Sequence, residues 1–117
     1  MNRWMLSEPV YHQLVINHAK QMPLKGSAGE IDFEPVVRLH IPFTDMQWIL
    51  TELDPEDGIA FGLCQIQMAE LGSVWMPELA EIEVQGLRVI EDRAWTPKGT
   101  LRWYAERSRA NGWMIVE

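Results

Sequence analysis

Residues 36–66 decide the fold, and they read VVRLHIPFTDMQWILTELDPEDGIAFGLCQI. Apolar and other side chains alternate over residues 37–41, which is the pattern of a strand with one buried face. Residues 46–53 predict a second strand, and the nearly continuous apolar run over 59–66 predicts a central strand covered on both faces. Three strands joined by short connections indicate an antiparallel meander.

The connection between the second and third strands, residues 54–58 with the sequence DPEDG, has the composition of a tight turn. Proline fixes φ, aspartate accepts hydrogen bonds from nearby amides, and glycine tolerates a positive φ. Gly62 lies inside the third strand, where glycine marks a bulge or a close approach of two backbones. The two strands are therefore predicted to form a hairpin.

A helix is predicted before the sheet. Ser7 is a suitable N-cap, and Pro23 prevents the helix from continuing beyond about residue 22. Helical spacing places five side chains on one face, which we expect to pack against the sheet. These side chains are Tyr11, Leu14, Val15, His18 and Met22.

Shorter elements are predicted in the second half of the chain. Residues 73–76 predict a fourth strand, and Pro77 begins a short helix that Gly86 ends. Residues 87–90 then predict a short edge strand. This region is expected to add small elements around the meander.

The last helix is predicted to begin after the N-cap Thr100 and to end at Gly112, with residues 113–116 packing back on the body. Its inward side chains are expected to be Leu101, Tyr104, Ala105 and Ser108. The chain thus belongs to the α+β class: an antiparallel β-meander of about four to five strands packed with an N-terminal, a short middle and a C-terminal helix. Residues 1–117 are expected to form a single domain.

Length and composition exclude several classes of protein. The chain has 117 residues, of which 47% are hydrophobic and 23% charged, as in ordinary globular proteins rather than disordered ones. No apolar run is long enough to span a membrane. The single cysteine, Cys64, cannot form an internal disulfide, so we expect a cytoplasmic protein. We also expect no membrane partner and no cofactor.

Charge is unevenly distributed along the chain. The net charge of −7 argues against salt-driven binding to nucleic acid or to an anionic membrane. Residues 30–57 contain eight acids and one base, residues 58–87 add four acids, and residues 88–109 contain six bases and three acids. This pattern indicates one of two things. The acids are part of an ordinary solvated surface, with the basic ends of the chain offsetting their charge, or they form an acidic face that binds a cationic partner.

Four acids crowd the turn after the second strand: Glu52, Asp54, Glu56 and Asp57. Such oxygen ligands could hold a divalent cation, but their spacing differs from that of a calcium-binding loop. The three histidines form no metal-binding pattern, and we find no nucleophile motif and no phosphate loop. The sequence therefore predicts no catalytic residue and no metal site, and we assign these acids to an interaction surface.

The six tryptophans stand out in the composition. Trp95 and Trp103 lie near Arg102 and Arg109 in the basic segment 88–109, and these four residues complete the expected interaction surface. Tryptophan is favoured at binding sites and is equally useful for closing a small core, so both interpretations stay open. The segment is also where an anion or a nucleic-acid strand could dock.

Two runs, residues 30–39 and 48–55, resemble a family of small acidic proteins of unknown function encoded on plasmids and other mobile elements. The similarity continues through residues 60–64, 69–72, 78–79 and 104–106. Two departures from the family's pattern are Met68-Ala69, in place of a phenylalanine-proline step, and Pro77, in place of a serine cap. The resemblance implies a setting among conjugation, partitioning and antirestriction functions, which favours an interaction role over catalysis.

The leading hypothesis is a non-enzymatic accessory protein of a mobile genetic element that binds a partner protein through its acidic surface. Antirestriction or nucleic-acid mimicry is one form of it, and this form requires the acids of residues 30–57 to make one exposed face. One alternative is a carboxylate- or metal-dependent hydrolase or nuclease. It requires at least two of five residues to converge in a pocket: Glu52, Asp54, Glu56, Asp57 and His40. The other is a nucleic-acid-binding accessory protein that uses residues 88–109.

Overall fold

The computed structural model describes residues 4–112. Within that range three α-helices, α1 to α3, span Glu8–Gln21, Met76–Leu79 and Leu101–Asn111, and a short 3-10 helix, Met22–Leu24, follows α1. Seven strands of the same range, β1 to β7, span Val37–His40, Gln47–Asp54, Ile59–Gln65, Ala69–Trp75, Glu83–Val84, Leu87–Arg88 and Ile90–Glu91.

Five strands form one antiparallel sheet in the order β4-β3-β2-β1-β7. The α+β class, the meander and the three predicted helices are thus confirmed. β5 and β6 pair separately through a two-residue turn, Gln85 and Gly86, and both residues have positive φ. The prediction that Gly86 ends the middle helix is wrong, because α2 already ends at Leu79 and Gly86 reverses the chain between two strands.

The two faces of the sheet build two cores. On one face Trp48 and Leu50 of β2 pack in the larger core together with residues of α1 and α2. On the other face Ile49 and Leu63 pack against α3. The buried residues of α3 are the predicted Leu101, Tyr104, Ala105 and Ser108. Alternation along β2 therefore divides its apolar side chains between the two cores.

A β-bulge interrupts β2 at Thr51, because the register with β3 shifts between Leu50 and Glu52. The bulge lies opposite Gly62, where a Cβ atom would collide with the carbonyl of Ile49 and lie 2.8 Å from the Cα of Leu50. The close backbone approach predicted at Gly62 is confirmed, and the irregularity itself lies on the neighbouring strand. Because of the bulge, Leu50 and Leu53 face the same core although they are three residues apart.

The buried face of α1 differs from the predicted one. Tyr11 and Leu14 are buried as expected, but Met22 is 54% exposed. Asn17 and Gln21 are buried in its place, because each of these amides makes hydrogen bonds to the backbone of another segment.

β4 is an outer strand of the sheet, and the edge of the sheet beside it is partly open. Trp75 is 54% exposed, and Ile59 at the start of β3 is 41% exposed, so β3 is not covered on both faces along its whole length. Segment 113–116 lies outside the described residues. No helix within the described part of the chain is long and apolar enough to cross a membrane.

Candidate functional site

The acids of the β2–β3 turn stabilise that turn. The Asp54 carboxylate accepts a hydrogen bond from the Glu56 amide at 2.9 Å, and the Asp57 carboxylate accepts one from the Ile59 amide at 3.0 Å. Gly58 has the positive φ that the turn requires. The predicted turn chemistry is confirmed, and Glu56 at the tip is exposed to solvent.

Glu52 is the exception among these acids, because only 7% of it is exposed. Its Oε2 accepts one long hydrogen bond, 3.4 Å, from Nε2 of Gln21. Burial raises the pKa of the Glu52 carboxyl above 4.5, while the Gln21 hydrogen bond and the charges of Lys25 and His18 oppose that rise. Glu52 is therefore mostly buried, whereas Asp54 is half-buried and Glu56 and Asp57 are exposed.

Two buried amides hold the surroundings of Glu52. Asn17 donates from Nδ2 to the carbonyl of Thr51 in the bulge, at 3.0 Å. β1 pairs with β2 only as far as Leu50. Asn17 therefore supplies the hydrogen-bond donor for the Thr51 carbonyl, which lies beyond the end of that pairing. Gln21 donates to the Ile31 carbonyl at 2.7 Å and accepts from the Ile31 amide at 2.8 Å. Both amides thus fix α1 to segments that border Glu52.

Glu52 lies between two adjoining hollows. The first has a volume of about 370 Å³, and its charged lining residues are Glu30, Asp32, Glu52 and Arg102. The second has a volume of about 190 Å³, and its titratable lining residues are His18, Lys25, Glu52, Asp54 and Asp57. We name the five carboxylates of the two hollows the acidic rim: Glu30, Asp32, Glu52, Asp54 and Asp57.

The acidic rim joins segments that are far apart in the chain. Asp32 accepts a hydrogen bond at 3.1 Å from the amide of Arg102, in the first turn of α3, where a carboxylate is favourable. The neighbouring Leu101 amide donates to the carbonyl of Phe33 at 2.8 Å, which fixes the linker to α3. Asp45 belongs to the same acidic segment but precedes β2, at the opposite end of that strand from the rim. The acids of residues 30–57 are thus divided between two ends of the sheet.

The second hollow contains groups capable of proton transfer. Nε2 of His18 lies 3.6 Å from Oδ2 of Asp54, and Ser73 lines the same hollow. Among residues 4–112 no hydrogen bond joins Ser73 to His18, and no three His, Cys, Asp or Glu side chains are arranged to hold a metal ion. His40 lies on β1, paired with Gln47 at the start of β2. Glu52, Asp54 and Asp57 therefore share this hollow. His40, the histidine that the hydrolase alternative named, lies on β1 and does not line it.

The tryptophans of the basic segment take part in packing. Trp95 and Trp103 are half-buried against the α3 core, with ring centroids 6.0 Å and 4.9 Å from that of Tyr104. The guanidinium of Arg107 lies 4.6 Å from the centroid of the Trp103 ring, a cation–π distance. The interpretation of these two tryptophans as core residues is therefore supported, and each keeps a partly exposed surface.

The two predicted arginines lie at different places on α3. Arg102 is exposed beside the first hollow of the acidic rim. Arg109 is exposed beside Glu70 and Leu71 of β4. Each of these arginines has acids nearby, so neither lies in a purely basic surface.

Cys64 is an inert thiol at neutral pH. It is partly buried in β3, and burial, assisted by the charge of Glu70, raises its pKa to about 11. A thiol with such a pKa is protonated near pH 7 and is a poor nucleophile.

Comparison with known proteins identifies a family. No curated protein and no solved structure matches the chain. The family described as protein of unknown function DUF2958 matches residues 5–115, which is nearly the whole sequence. This match confirms the resemblance to an uncharacterised family, and it covers every element of the fold. The chain therefore belongs to the DUF2958 family of proteins of unknown function.

Proposed function

We propose that this protein is a non-enzymatic accessory protein that binds the basic surface of a partner protein through the acidic rim. The observation that carries the proposal is the convergence of acids from two segments: Glu30 and Asp32 from the linker, and Asp54 and Asp57 from the β2–β3 turn, all around Glu52. A surface that gathers like charges costs folding free energy, so it is retained where a cationic partner compensates the repulsion.

The setting of this function is proposed to be a mobile genetic element such as a plasmid, with the protein in the cytoplasm of the host. In that setting the partner is a protein that normally binds the phosphates of DNA. The rim carboxylates would then occupy a DNA-binding surface, and antirestriction would follow from competition with DNA. The acids of residues 30–57 do not make one exposed face, because Asp45 lies at the opposite end of β2 and Glu52 is buried. This form of the proposal therefore rests only on the exposed turn acids and the net charge of −7.

The experiment compares two triple variants of the affinity-tagged chain, expressed in its native host. Asp54→Asn, Glu56→Gln and Asp57→Asn remove three charges at the rim and its turn while keeping the side-chain oxygens that accept turn hydrogen bonds. Asp45→Asn, Glu81→Gln and Glu106→Gln remove three charges elsewhere and serve as the matched control.

We expect a stoichiometric partner that the wild type and the control triple retain and the rim triple loses. We also expect retention to weaken steeply between about 50 and 200 mM salt, as for contacts between opposite charges. Displacement of the chain from its partner by duplex DNA would support mimicry. A partner bound equally by both triple variants would overturn the proposal.

A second candidate is a carboxylate-dependent hydrolase, favoured by one specific observation. Burial raises the pKa of Glu52, which lines the same hollow as the His18–Asp54 pair, and a perturbed carboxyl pKa in a hollow is typical of acid–base sites. The test is a screen of ester and phosphoester substrates with wild type, Glu52→Gln and Glu56→Gln. Hydrolysis lost only in Glu52→Gln would replace the binding proposal with this one.

A further inference from the structure

β4 presents a free sheet edge. It has seven residues, Ala69–Trp75, and in the described part of the chain no strand and no backbone hydrogen bond lies on its outer side. Leu71 and Trp75 on one of its faces are 46% and 54% exposed. A strand of this length with open amides, open carbonyls and exposed apolar side chains is a template for the addition of another strand.

A hollow of about 270 Å³ runs along β4 on the side of Glu70 and Val74, and it reaches Leu71 and Trp75 at the edge. Its apolar wall is formed by Trp48 of β2, Val74 of β4, and Leu79 and Ile82 at and after α2. Trp48 is fully buried, and its indole Nε1 is the one buried side-chain nitrogen or oxygen of residues 4–112 that has no hydrogen-bond partner. A buried donor without an acceptor is unfavourable, so a ligand whose acceptor atom reaches Nε1 through this hollow gains a hydrogen bond.

Charge indicates which kind of strand fits. Glu70 and Glu78 line the hollow, and residues 39–87 contain no lysine and no arginine. Arg109 of α3 lies beside Glu70 and Leu71 but does not line this hollow. A second copy of this chain would bring like charges of both copies together at the edge. A basic segment of another protein would instead find opposite charges there.

We propose that β4 binds an extended basic segment of a partner protein, which adds to the sheet as a sixth strand and inserts a tyrosine-like side chain into the hollow. The aromatic ring packs on the apolar wall, and its hydroxyl oxygen accepts the hydrogen bond of Trp48 Nε1. Neighbouring apolar side chains on the other face of the added strand contact Leu71 and Trp75. This site borders the acidic rim, because Leu71 also lines the first hollow of the rim, but it does not depend on the function proposed for the rim.

The probe is the synthetic peptide Lys-Thr-Val-Tyr-Val-Thr-Lys, labelled with a fluorophore and titrated with the full chain by fluorescence anisotropy. Replacing its tyrosine by phenylalanine should weaken binding by roughly 10-fold, the effect of one buried hydrogen bond. Two N-methylated peptides provide the matched control for strand addition, one methylated at odd and one at even positions. Only one of them should lose binding, because alternate amides face the partner strand.

Variants of the chain test the location of the site. A Cβ atom at Gly72 meets no atom within 4 Å, so Gly72→Leu should fold normally and fill the hollow. We expect it to abolish the preference for tyrosine over phenylalanine, whereas Ile90→Ala on the opposite edge strand and the rim triple variant should preserve that preference. Equal binding of both N-methylated peptides, an absence of saturable binding, or a β4-dependent dimer that excludes the peptide would overturn the proposal.

Discussion

Gly62 and Gly72 are direct Cα partners across β3 and β4, yet their surroundings are opposite. A Cβ atom on Gly62 would collide with the backbone of β2, whereas a Cβ atom on Gly72 would meet nothing within 4 Å. The inner strands are packed so closely at the bulge that one methyl group does not fit. The outer strand leaves room on the face towards which Gly72 would direct a side chain. The same residue type is therefore required by close packing in β3 and leaves open space beside β4.

The largest expected effect is that of Gly62→Ala. The new methyl group must displace the backbone of Ile49 and Leu50, so we expect a loss of about 3 kcal/mol or more in the free energy of unfolding, at or above the upper range for overpacking. Urea denaturation followed by circular dichroism measures it. Gly72→Ala is the matched control and should change the free energy by less than about 1 kcal/mol. Equal losses in both variants would remove the contrast between the two strands.

The second prediction concerns the amide that supports the bulge from α1. Asn17→Ala removes the hydrogen bond to the Thr51 carbonyl in a buried place, and we expect it to cost about 1–3 kcal/mol of unfolding free energy. Lys20→Ala, an exposed change on the same helix, should cost less than about 0.5 kcal/mol. An Asn17 variant as stable as the Lys20 variant would show that the bulge needs no support from α1.

The third prediction is a pH dependence at Glu52. Because burial raises its folded-state pKa above 4.5, the folded chain holds the proton more tightly than the unfolded chain does. Its contribution to stability is therefore present below about pH 4.5 and is lost as the pH rises through the raised pKa. Glu52→Gln should be more stable than the wild type at pH 7, and the difference should shrink towards pH 4.

Thermal unfolding at several pH values measures this difference. We expect it to be smaller than that of Asn17→Ala, because Glu52 borders two hollows that admit water. Glu56→Gln makes the same chemical change at an exposed place and is the matched control. A Glu52→Gln variant that is less stable than the wild type at pH 7 would show that the buried carboxylate is favourable to folding.

The smallest expected effect is a gain of stability at the outer strand. Gly72→Val replaces a flexible residue in a strand with a β-branched one where no atom obstructs it. We expect an increase of about 0.5–1 kcal/mol in the free energy of unfolding. A loss of stability would mean that the space beside β4 is less open than its geometry indicates.

The elements with strong local signals were predictable from the sequence. The alternation of apolar side chains identified β1, and the DPEDG turn identified the β2–β3 hairpin. Thr100 and Gly112 marked the ends of α3. In the structure Thr100 Oγ1 accepts a hydrogen bond from the Trp103 amide, and Gly112 has a positive φ. Each signal is a matter of neighbouring residues. Local chemistry therefore sufficed for these elements.

What depends on distant contacts was not predictable in the same way. Gly86 suits a helix end and a hairpin turn equally well, and only the pairing of Glu83 with Arg88 decides between them. Asn17 and Gln21 follow Leu14 at intervals of three and four residues, so they share its helical face, but a polar residue is expected outside until its backbone partners are known. The convergence of the acidic rim likewise depends on how the linker lies against α3 and β2.

The pair of hydrogen bonds between Gln21 and Ile31 closes residues 22–30 into a loop whose two ends are fixed. When the ends of a loop are held, doubling its length costs only about 0.6 kcal/mol of closure entropy. Gly26 is exposed within this loop. An epitope inserted in this loop should therefore cost little folding free energy, and because Glu30 lies in the loop the insert would also obstruct the acidic rim.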